Sequence, residues 1–199
     1  MKLYALLLAS TFALGACAQM QVNHYLPSGD GELRNRSLCT FGLRDELEVP
    51  LSGGIKARVW GGDPDTSQLS ARVQVLVPEG QKMRFMSNRF SYTSREAPEQ
   101  NELVFTGITT VCPAEAVGCK TRLGPTDWLL GGKIPAATML SSSEPQTYRI
   151  DLAVPVPPGE NYALRLPDVE YTGHIQPGPT VRFEKSTTPA ATNLSVCQP

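Results

Sequence analysis

Strict alternation of apolar and polar residues is the pattern that most constrains how this chain can fold. Residues 69–77 and 148–156 each place five apolar side chains on one side of an extended chain and mainly polar ones on the other. This period of two is typical of a half-buried β-strand. Shorter runs repeat it near residues 55, 103, 162 and 181, and no helical spacing competes with them. Gly and Pro, 17 of each in 199 residues, separate the runs. The sequence therefore predicts an all-β protein.

The two long alternating runs also match each other. A shift of 79 residues superposes the Val-Pro-x-Gly segments at 77–80 and 156–159 and the Tyr-Thr pairs at 92–93 and 171–172. Pro and Gly at this spacing are typical of a short hairpin turn, so two unrelated hairpins are the alternative explanation. The common order of cysteine, strand, turn and second strand favours an internal duplication.

The N-terminus carries the pattern of an export signal. Lys2 precedes an apolar run over residues 3–14, and small residues follow, which is the layout of a removable signal peptide. The run is too short to span a bilayer, which needs about 20 apolar residues. The segment 14–17, Leu-Gly-Ala-Cys, resembles the lipobox of bacterial lipoproteins. The resemblance implies a signal peptide at 1–16 and an acylated Cys17 that holds the protein on a membrane.

The resemblance covers residues 1–17 only and bears on localisation. Ala18 follows the cysteine where many inner-membrane lipoproteins of enteric bacteria carry Asp, so the resemblance favours the outer membrane. Residues 16–18 also form an A-x-A cleavage site, and cutting there would release a soluble periplasmic or secreted protein. The chain is thus expected to be exported, with a lipid anchor at Cys17 as the leading prediction.

The duplication predicts how the mature chain is divided. We expect two tandem immunoglobulin-like β-sandwich modules of about 75–80 residues, at 39–112 and 119–199, with one pseudo-symmetric sandwich as the alternative. Six residues separate the modules, so we expect them to pack side by side. Residues 17–38, with scattered charges and glycines, are expected to form a lipidated tether.

The cysteines predict two disulfides. Once Cys17 is set aside, four of the five cysteines remain, and an even set in an oxidising compartment favours disulfides over thiol catalysis. The duplication favours bonds within each module, and loop-closure entropy does not separate this pattern from its rival. The two patterns are Cys39 to Cys112 with Cys119 to Cys197, and Cys39 to Cys197 with Cys112 to Cys119.

Catalytic and metal chemistry finds little support in the sequence. The chain has two histidines, His24 and His174, and no G-x-S-x-G segment, which disfavours a zinc cluster or a serine triad. Asp63 and Asp65 are spaced like the start of a calcium loop, but Pro64 interrupts it, and a plain turn between strands is favoured. We therefore expect no enzyme activity, no metal and no cofactor.

Two further features bear on binding. Asp45, Glu46 and Glu48 are expected on the solvated side of an edge strand, where charges block aggregation. Trp60 lies two and four positions after Arg58 and Lys56, so in a strand its side chain is on the same face as theirs. It is therefore a candidate for an exposed ring that stacks on a sugar or anchors a protein; filling a core or the contact between modules is the alternative. Trp128 is a weaker candidate.

The function classes that remain follow from charge and export. A formal net charge of -1 and a pI near 6.1 give no case for nucleic acid as a partner. The leading hypothesis is a non-catalytic outer-membrane lipoprotein that binds an envelope protein or glycan, or supports an assembly. The alternative is an inhibitor or protective binder of hydrolases, which would insert a loop such as 113–118 into a target. A carbohydrate-binding module and an enzyme are less favoured.

Overall fold

The described part of the chain is built almost entirely from β-strands. The structure, a computed structural model, describes residues 19–35, 40–41, 43–66, 68–95, 98–99, 101–105, 107–111, 138–141, 146–154 and 159–192. These residues form sixteen strands and one short 3-10 helix, Ser52–Gly54. Within the same ranges, no helix is long and apolar enough to cross a membrane. The predicted all-β class is confirmed.

The strands form three antiparallel sheets, which we name A, B and C. Sheet A contains β1 (Gln19–Ser28), β3 (Thr40–Phe41), β8 (Arg89–Ser94), β9 (Asn101–Val104), β13 (Asn161–Arg165) and β16 (Thr180–Thr192). Sheet B contains β2 (Glu32–Arg34), β4 (Glu46–Pro50), β5 (Lys56–Gly61), β6 (Leu69–Val77), β10 (Thr109–Val111) and β12 (Gln146–Val154). Sheet C contains β7 (Lys82–Phe85), β11 (Thr138–Ser141), β14 (Val169–Tyr171) and β15 (His174–Gln176).

One hydrophobic core joins the three sheets into a β-sandwich. Sheet A has the order β1-β16-β13-β8-β9, with β3 also paired to β16, while sheet B has the order β10-β12-β6-β5-β4-β2 and sheet C the order β11-β7-β14-β15. Val73 of sheet B, Phe85 of sheet C and Leu164 of sheet A belong to the same buried cluster. A sheet that is apolar on one face must bury that face against another layer, and here the layers share one core.

The alternation that predicted β6 is reproduced residue by residue. From Leu69 to Val77 the side chains alternate between fully buried and partly exposed. The apolar members point into the core, and Ser70, Arg72 and Gln74 point to the opposite face. This division gives sheet B an outer face that is polar along its central strand.

Two tandem modules are not confirmed. Each sheet combines strands from the predicted modules 39–112 and 119–199: β12 lies in sheet B, β8 and β9 lie in sheet A, and β7 lies in sheet C. The longest pairing between the predicted modules 39–112 and 119–199 joins β6 to β12 over nine residue pairs, from Leu69–Val154 to Val77–Gln146. The backbone hydrogen bonds and the core are thus shared between the halves, as expected for one sandwich.

Where the structure describes the expected tether at 17–38, the chain forms two paired strands. All ten residues of β1 pair with β16, and β2 pairs with β4. Tyr25 is 1% exposed in the core, where its ring lies edge-on to Tyr162 at 4.9 Å between centroids. The alternation within β1 is weak because His24, Tyr25 and Pro27 are all buried, so the pattern did not identify the strand.

Of the strands matched by the 79-residue shift, only β6 and β12 pair with their own counterparts. β6 lies beside β12, and Arg72 is the register partner of Asp151, the residue 79 positions later. β7 pairs with β14 and β8 pairs with β13, although β13 is the counterpart of β7 under the shift. In β7–β14 the partners are Phe85 and Val169, and the shift turns this pair into Leu164 and Phe90. In β8–β13 the partner of Leu164 is instead Tyr92, so the two pairings differ in register by two residues.

The turn after β6 differs from the predicted hairpin. Gly80 has a φ of 72°, as predicted, and the Gln81 amide donates to the Pro78 carbonyl at 3.1 Å. The tight turn therefore spans residues 78–81, one residue later than the predicted 77–80. However, β6 belongs to sheet B and β7 to sheet C, so the turn carries the chain between sheets. The counterpart turn at 155–158 lies outside the described residues.

Candidate binding face

The outer face of sheet B carries a cluster of charged side chains. We call it the polar face. Side chains two apart in a strand share a face, so the residues that alternate with the buried apolar members all lie on this side. The polar face comprises Glu32, Arg34, Glu46, Glu48, Lys56, Arg58, Trp60, Arg72, Gln74, Arg149 and Asp151.

Strand register arranges these side chains in two rows across five strands. In the first row Arg34, Glu46, Trp60, Arg72 and Asp151 are successive register partners. In the second row the successive partners are Glu32, Glu48, Arg58, Gln74 and Arg149. Neighbouring strands lie about 4.8 Å apart, so adjacent side chains of each row are in contact distance.

Glu48 is the centre of the densest ion-pair cluster. Its carboxylate accepts a hydrogen bond from Lys56 Nζ at 2.7 Å and one from Arg58 Nε at 2.8 Å. Arg34 Nη2 lies 3.1 Å from the same carboxylate. The side chain is only 5% exposed. Burial alone would raise the pKa of Glu48, but these hydrogen bonds and the charge of Arg34 outweigh it and hold the pKa below its usual value.

Asp151 holds two arginines at the other end of the rows. It accepts hydrogen bonds from Arg72 Nε and from Arg149 Nε, the latter at 2.7 Å. Burial again raises the pKa of Asp151, while the two arginines lower it below the usual value. The Arg72 guanidinium lies 5.4 Å from the centroid of the Trp60 ring, within cation–π distance. Arg72 therefore connects the carboxylate to the indole.

Two open grooves meet at Trp60 and Arg72. The larger groove, of about 500 Å³, is lined by Arg34, Asn35, Glu46, Arg58, Trp60, Arg72 and Gln74. The second, of about 390 Å³, extends past Asp151 along the ends of β5, β6 and β12. The walls of the larger groove combine three guanidinium groups with one carboxylate and two amides. Such walls can donate hydrogen bonds to an anion and also accept them from hydroxyl groups.

Trp60 lies on the predicted face, but the expectation of an exposed ring is wrong. The residue is 4% exposed and lies beneath Arg72. Its parity with Lys56 and Arg58 is as predicted, because all three belong to the outer side of β5. Long arginine stems can cover an aromatic ring while their charged ends reach water, which strand parity alone does not reveal.

The acidic segment at 45–48 also differs from the sequence prediction. Asp45, Glu46 and Glu48 are each 5% exposed, and not solvated. β4 is not the edge of its sheet, because β2 pairs with its outer side. The basic residues that enclose Glu46 and Glu48 come from β2 and β5, and the short β2 carried no alternation that would have predicted it.

Asp63 and Asp65 form a turn, as the preferred interpretation predicted. The Asp65 amide donates to Asp63 Oδ1 at 2.8 Å, which is an Asx turn. Among the described residues, no group of three or more His, Cys, Asp or Glu side chains could hold a metal ion. His24 is 6% exposed beside the Val22 carbonyl, and His174 lies exposed on β15.

Several predicted site residues lie outside the described residues. They are Cys17, Cys39, Cys112, Cys119, Cys197, Trp128 and the loop 113–118. The lipid site, the disulfides and the inhibitory loop therefore stay predictions. Sequence reasoning also missed Arg34, Arg72 and Arg149 as a group; the available signal was the polar half of each alternating run.

No protein-family model matches the chain, and no curated protein matches it.

Proposed function

We propose that this protein is a non-catalytic binding module of the cell envelope, held on the outer membrane by a lipid on Cys17. The polar face of sheet B is its binding surface for an envelope protein or glycan. The sandwich serves as the rigid support of that surface. The anchor follows from the lipobox resemblance, and the surface follows from the side chains described above.

The observation that carries the proposal is an arginine-lined groove above buried carboxylates. A sheet face that only meets water would leave its charges solvated, since burying a carboxylate costs free energy unless it is paired. Here Glu46 and Glu48 are each 5% exposed beneath basic side chains. The pairing holds the guanidinium groups of Arg34 and Arg58 at fixed positions. Fixed donors lose less conformational entropy when they bind a ligand, which favours binding.

The position of β1 bears on how the module would be presented. β1 begins at Gln19, two residues after Cys17. Two extended residues span at most about 7 Å. An acylated Cys17 would therefore hold the sandwich close to the lipid surface, without the long tether expected from composition.

The two histidines fit a module without catalysis. Nucleophilic or acid–base catalysis usually needs a base within hydrogen-bond reach of the group that it activates. His24 Nδ1 lies 3.3 Å from the Val22 carbonyl within its own strand, a structural contact, while His174 lies on the edge strand of a different sheet.

Site-specific crosslinking in intact cells tests the surface. A photoreactive residue in place of Gln74, on the polar face, should give a discrete crosslinked product. The control places it at Thr93, which lies on β8 of sheet A and alternates with the buried Tyr92. Equal yields from both positions, or none from Gln74, would overturn the polar face as binding surface.

The anchor is tested separately. The Cys17→Ser variant should lose lipid labelling and leave the membrane fraction. Continued partition of this variant into the membrane fraction would contradict lipid anchoring.

A further inference from the structure

We propose that the larger groove of the polar face binds an acidic saccharide, a sugar that carries a carboxylate or a phosphate among its hydroxyl groups. This inference rests on the proposed function and names the ligand class of the same surface. The charge of the groove, its mixture of donors and acceptors, and its size all favour such a ligand.

Cations outnumber carboxylates on the polar face. Arg34, Lys56, Arg58, Arg72 and Arg149 contribute five positive charges, against four from Glu32, Glu46, Glu48 and Asp151. Among the residues that line the larger groove, the imbalance is three arginines against the single carboxylate of Glu46. The excess favours a ligand with negative charge. Guanidinium groups match the planar oxygens of a carboxylate, and the oxygens of a phosphate, with parallel hydrogen bonds.

The arginines keep donors for such a ligand. Arg58, Arg72 and Arg149 each donate to a carboxylate of this face through Nε. A guanidinium carries four further N–H donors on its two terminal nitrogens. The three side chains are about one-third exposed, at 32%, 35% and 35%. The donors are thus fixed at one end by an ion pair and open to solvent at the other.

The acceptors of the groove argue against a dense polyanion. Glu46, Asn35 and Gln74 line the same groove as the arginines. The Glu46 carboxylate would repel a ligand with closely spaced charges, such as a polyphosphate. It would accept hydrogen bonds from hydroxyl groups, and the amides both donate and accept. A sugar whose charged groups are separated by several hydroxyls satisfies both halves of this lining.

The dimensions fit a short oligosaccharide. The residues that line the larger groove lie on or next to β2, β4, β5 and β6. Three strand spacings amount to about 14 Å, the length of two or three sugar rings. Trp60 forms part of the floor beneath Arg72. The covered indole holds the guanidinium in place, and stacking on a sugar would require Arg72 to move.

Calorimetric titration of the full-length protein in mild detergent tests the proposal. The probes are trigalacturonic acid, glucose 6-phosphate, neutral maltotriose, inorganic phosphate and a hexaglutamate peptide. We expect trigalacturonic acid or glucose 6-phosphate to bind at least about tenfold more tightly than maltotriose and phosphate, because only they combine charge with hydroxyls. Binding of the first alone identifies a carboxylated sugar, and binding of the second alone a phosphorylated one.

Three variants localise the binding. Arg72→Gln removes a donor and Gln74→Glu adds a negative charge, so each should weaken binding of the acidic sugar about tenfold or more. Arg182→Gln, on sheet A, removes the same charge from an exposed position and should leave binding unchanged. The Gln74→Glu change lies at a partly exposed position and keeps the side-chain volume, so it tests the groove even if Arg72→Gln fails to fold.

Several outcomes would overturn the acidic-sugar assignment. They are no binding of either acidic sugar, equal binding of maltotriose or phosphate, tighter binding of hexaglutamate, and an equal loss of affinity in Arg182→Gln. The crosslinking experiment stays independent of them. A discrete crosslink from Gln74 with no sugar binding would retain the binding face and reject this ligand class.

Discussion

Glu48 illustrates how single residues set the properties of the polar face. Three basic side chains meet one carboxylate that is 5% exposed, and Asp151 binds two arginines while 51% exposed. The two carboxylates therefore have similar partners and different solvent access. An exposed ion pair contributes little to stability, because water and salt screen it. For a buried carboxylate, loss of its basic partners is strongly destabilising, because the charge is left without water or a counter-charge.

We expect Glu48→Gln to lower the free energy of unfolding at neutral pH by about 2 kcal/mol. The pKa of Glu48 lies below its usual 4.5, so the folded protein holds this carboxylate charged more strongly than the unfolded chain does. Its contribution is complete above about pH 4.5 and is lost as the pH falls from there through the folded pKa. The variant should thus lose less stability in acid than the parent. Urea unfolding at pH 7 and at about pH 3.5 measures both effects.

Asp151→Asn is the matched control for this prediction. It removes a carboxylate with two arginine partners from a half-exposed position, and should cost at most about 1 kcal/mol at neutral pH. If both variants lost the same free energy of unfolding at pH 7, burial of Glu48 would not increase the contribution of its ion pairs to stability. An unchanged acid sensitivity in Glu48→Gln would contradict the direction of its pKa.

At the scale of secondary structure, β1 and β3 show how strands from the ends of the chain complete sheet A. β1 pairs with β16 over its whole length, and β3 pairs with the end of the same strand. Neither sequence shows the alternation of apolar and polar residues that predicts β6. Both segments become strands because β16 supplies hydrogen-bond partners and a surface to pack against.

Tyr25 tests whether β1 is part of the fold. The residue is 1% exposed, its hydroxyl donates to the Gly159 carbonyl at 2.7 Å, and its ring contacts Tyr162. Tyr25→Ala should lower the free energy of unfolding by about 3–5 kcal/mol. Leu26→Ala, at a neighbouring side chain that is 36% exposed, should cost about 0.5 kcal/mol or less. Denaturant unfolding of both variants distinguishes a core strand from a tether, for which the two costs would be equal and small.

The pairing of β3 favours one disulfide pattern. Thr40 is the register partner of Thr192, so Cys39 and Cys197 lie one and five residues from a paired position. Because the halves share their sheets, the argument for bonds within modules loses its basis. We therefore expect Cys39 to bond to Cys197, which leaves Cys112 with Cys119. Peptide mapping without reduction measures this, and a Cys39 to Cys112 link would contradict it.

At the scale of the molecule, the shared core predicts cooperative unfolding. Sheets A, B and C each contain strands from both halves, so neither half can complete a sheet alone. We expect one thermal transition with calorimetric and van't Hoff enthalpies in agreement. Residues 18–112 and 113–199, expressed separately, should not fold. Two resolved transitions, or a half that folds alone, would restore the two-module interpretation.

The predicted duplication is compatible with a single domain. Matched strands β6 and β12 are neighbours in one sheet, and the remaining matched strands pair across the halves. A repeat whose units exchange strands makes one domain, because each unit supplies hydrogen-bond partners that the other lacks. Sequence similarity between segments shows that they adopt similar strands. It does not show whether each strand pairs within its own copy.

The sequence by itself determined the strands whose apolar residues alternate. β6 spans the predicted residues 69–77, because a period of two is a local property of an extended chain beside a core. It also placed Trp60 on the same side of β5 as Arg58. Strand parity is local, and no distant contact is needed to establish it.

Only the tertiary structure decided which strands became neighbours and what covered their outer faces. The burial of Glu48 and Trp60 depends on arginines from other strands, which reach these positions through sheet register. The pairing of β1 with β16 joins residues more than 150 positions apart. Hydrogen bonding between strands has no dependence on distance along the chain, so a local pattern predicts a strand and leaves its partner undetermined.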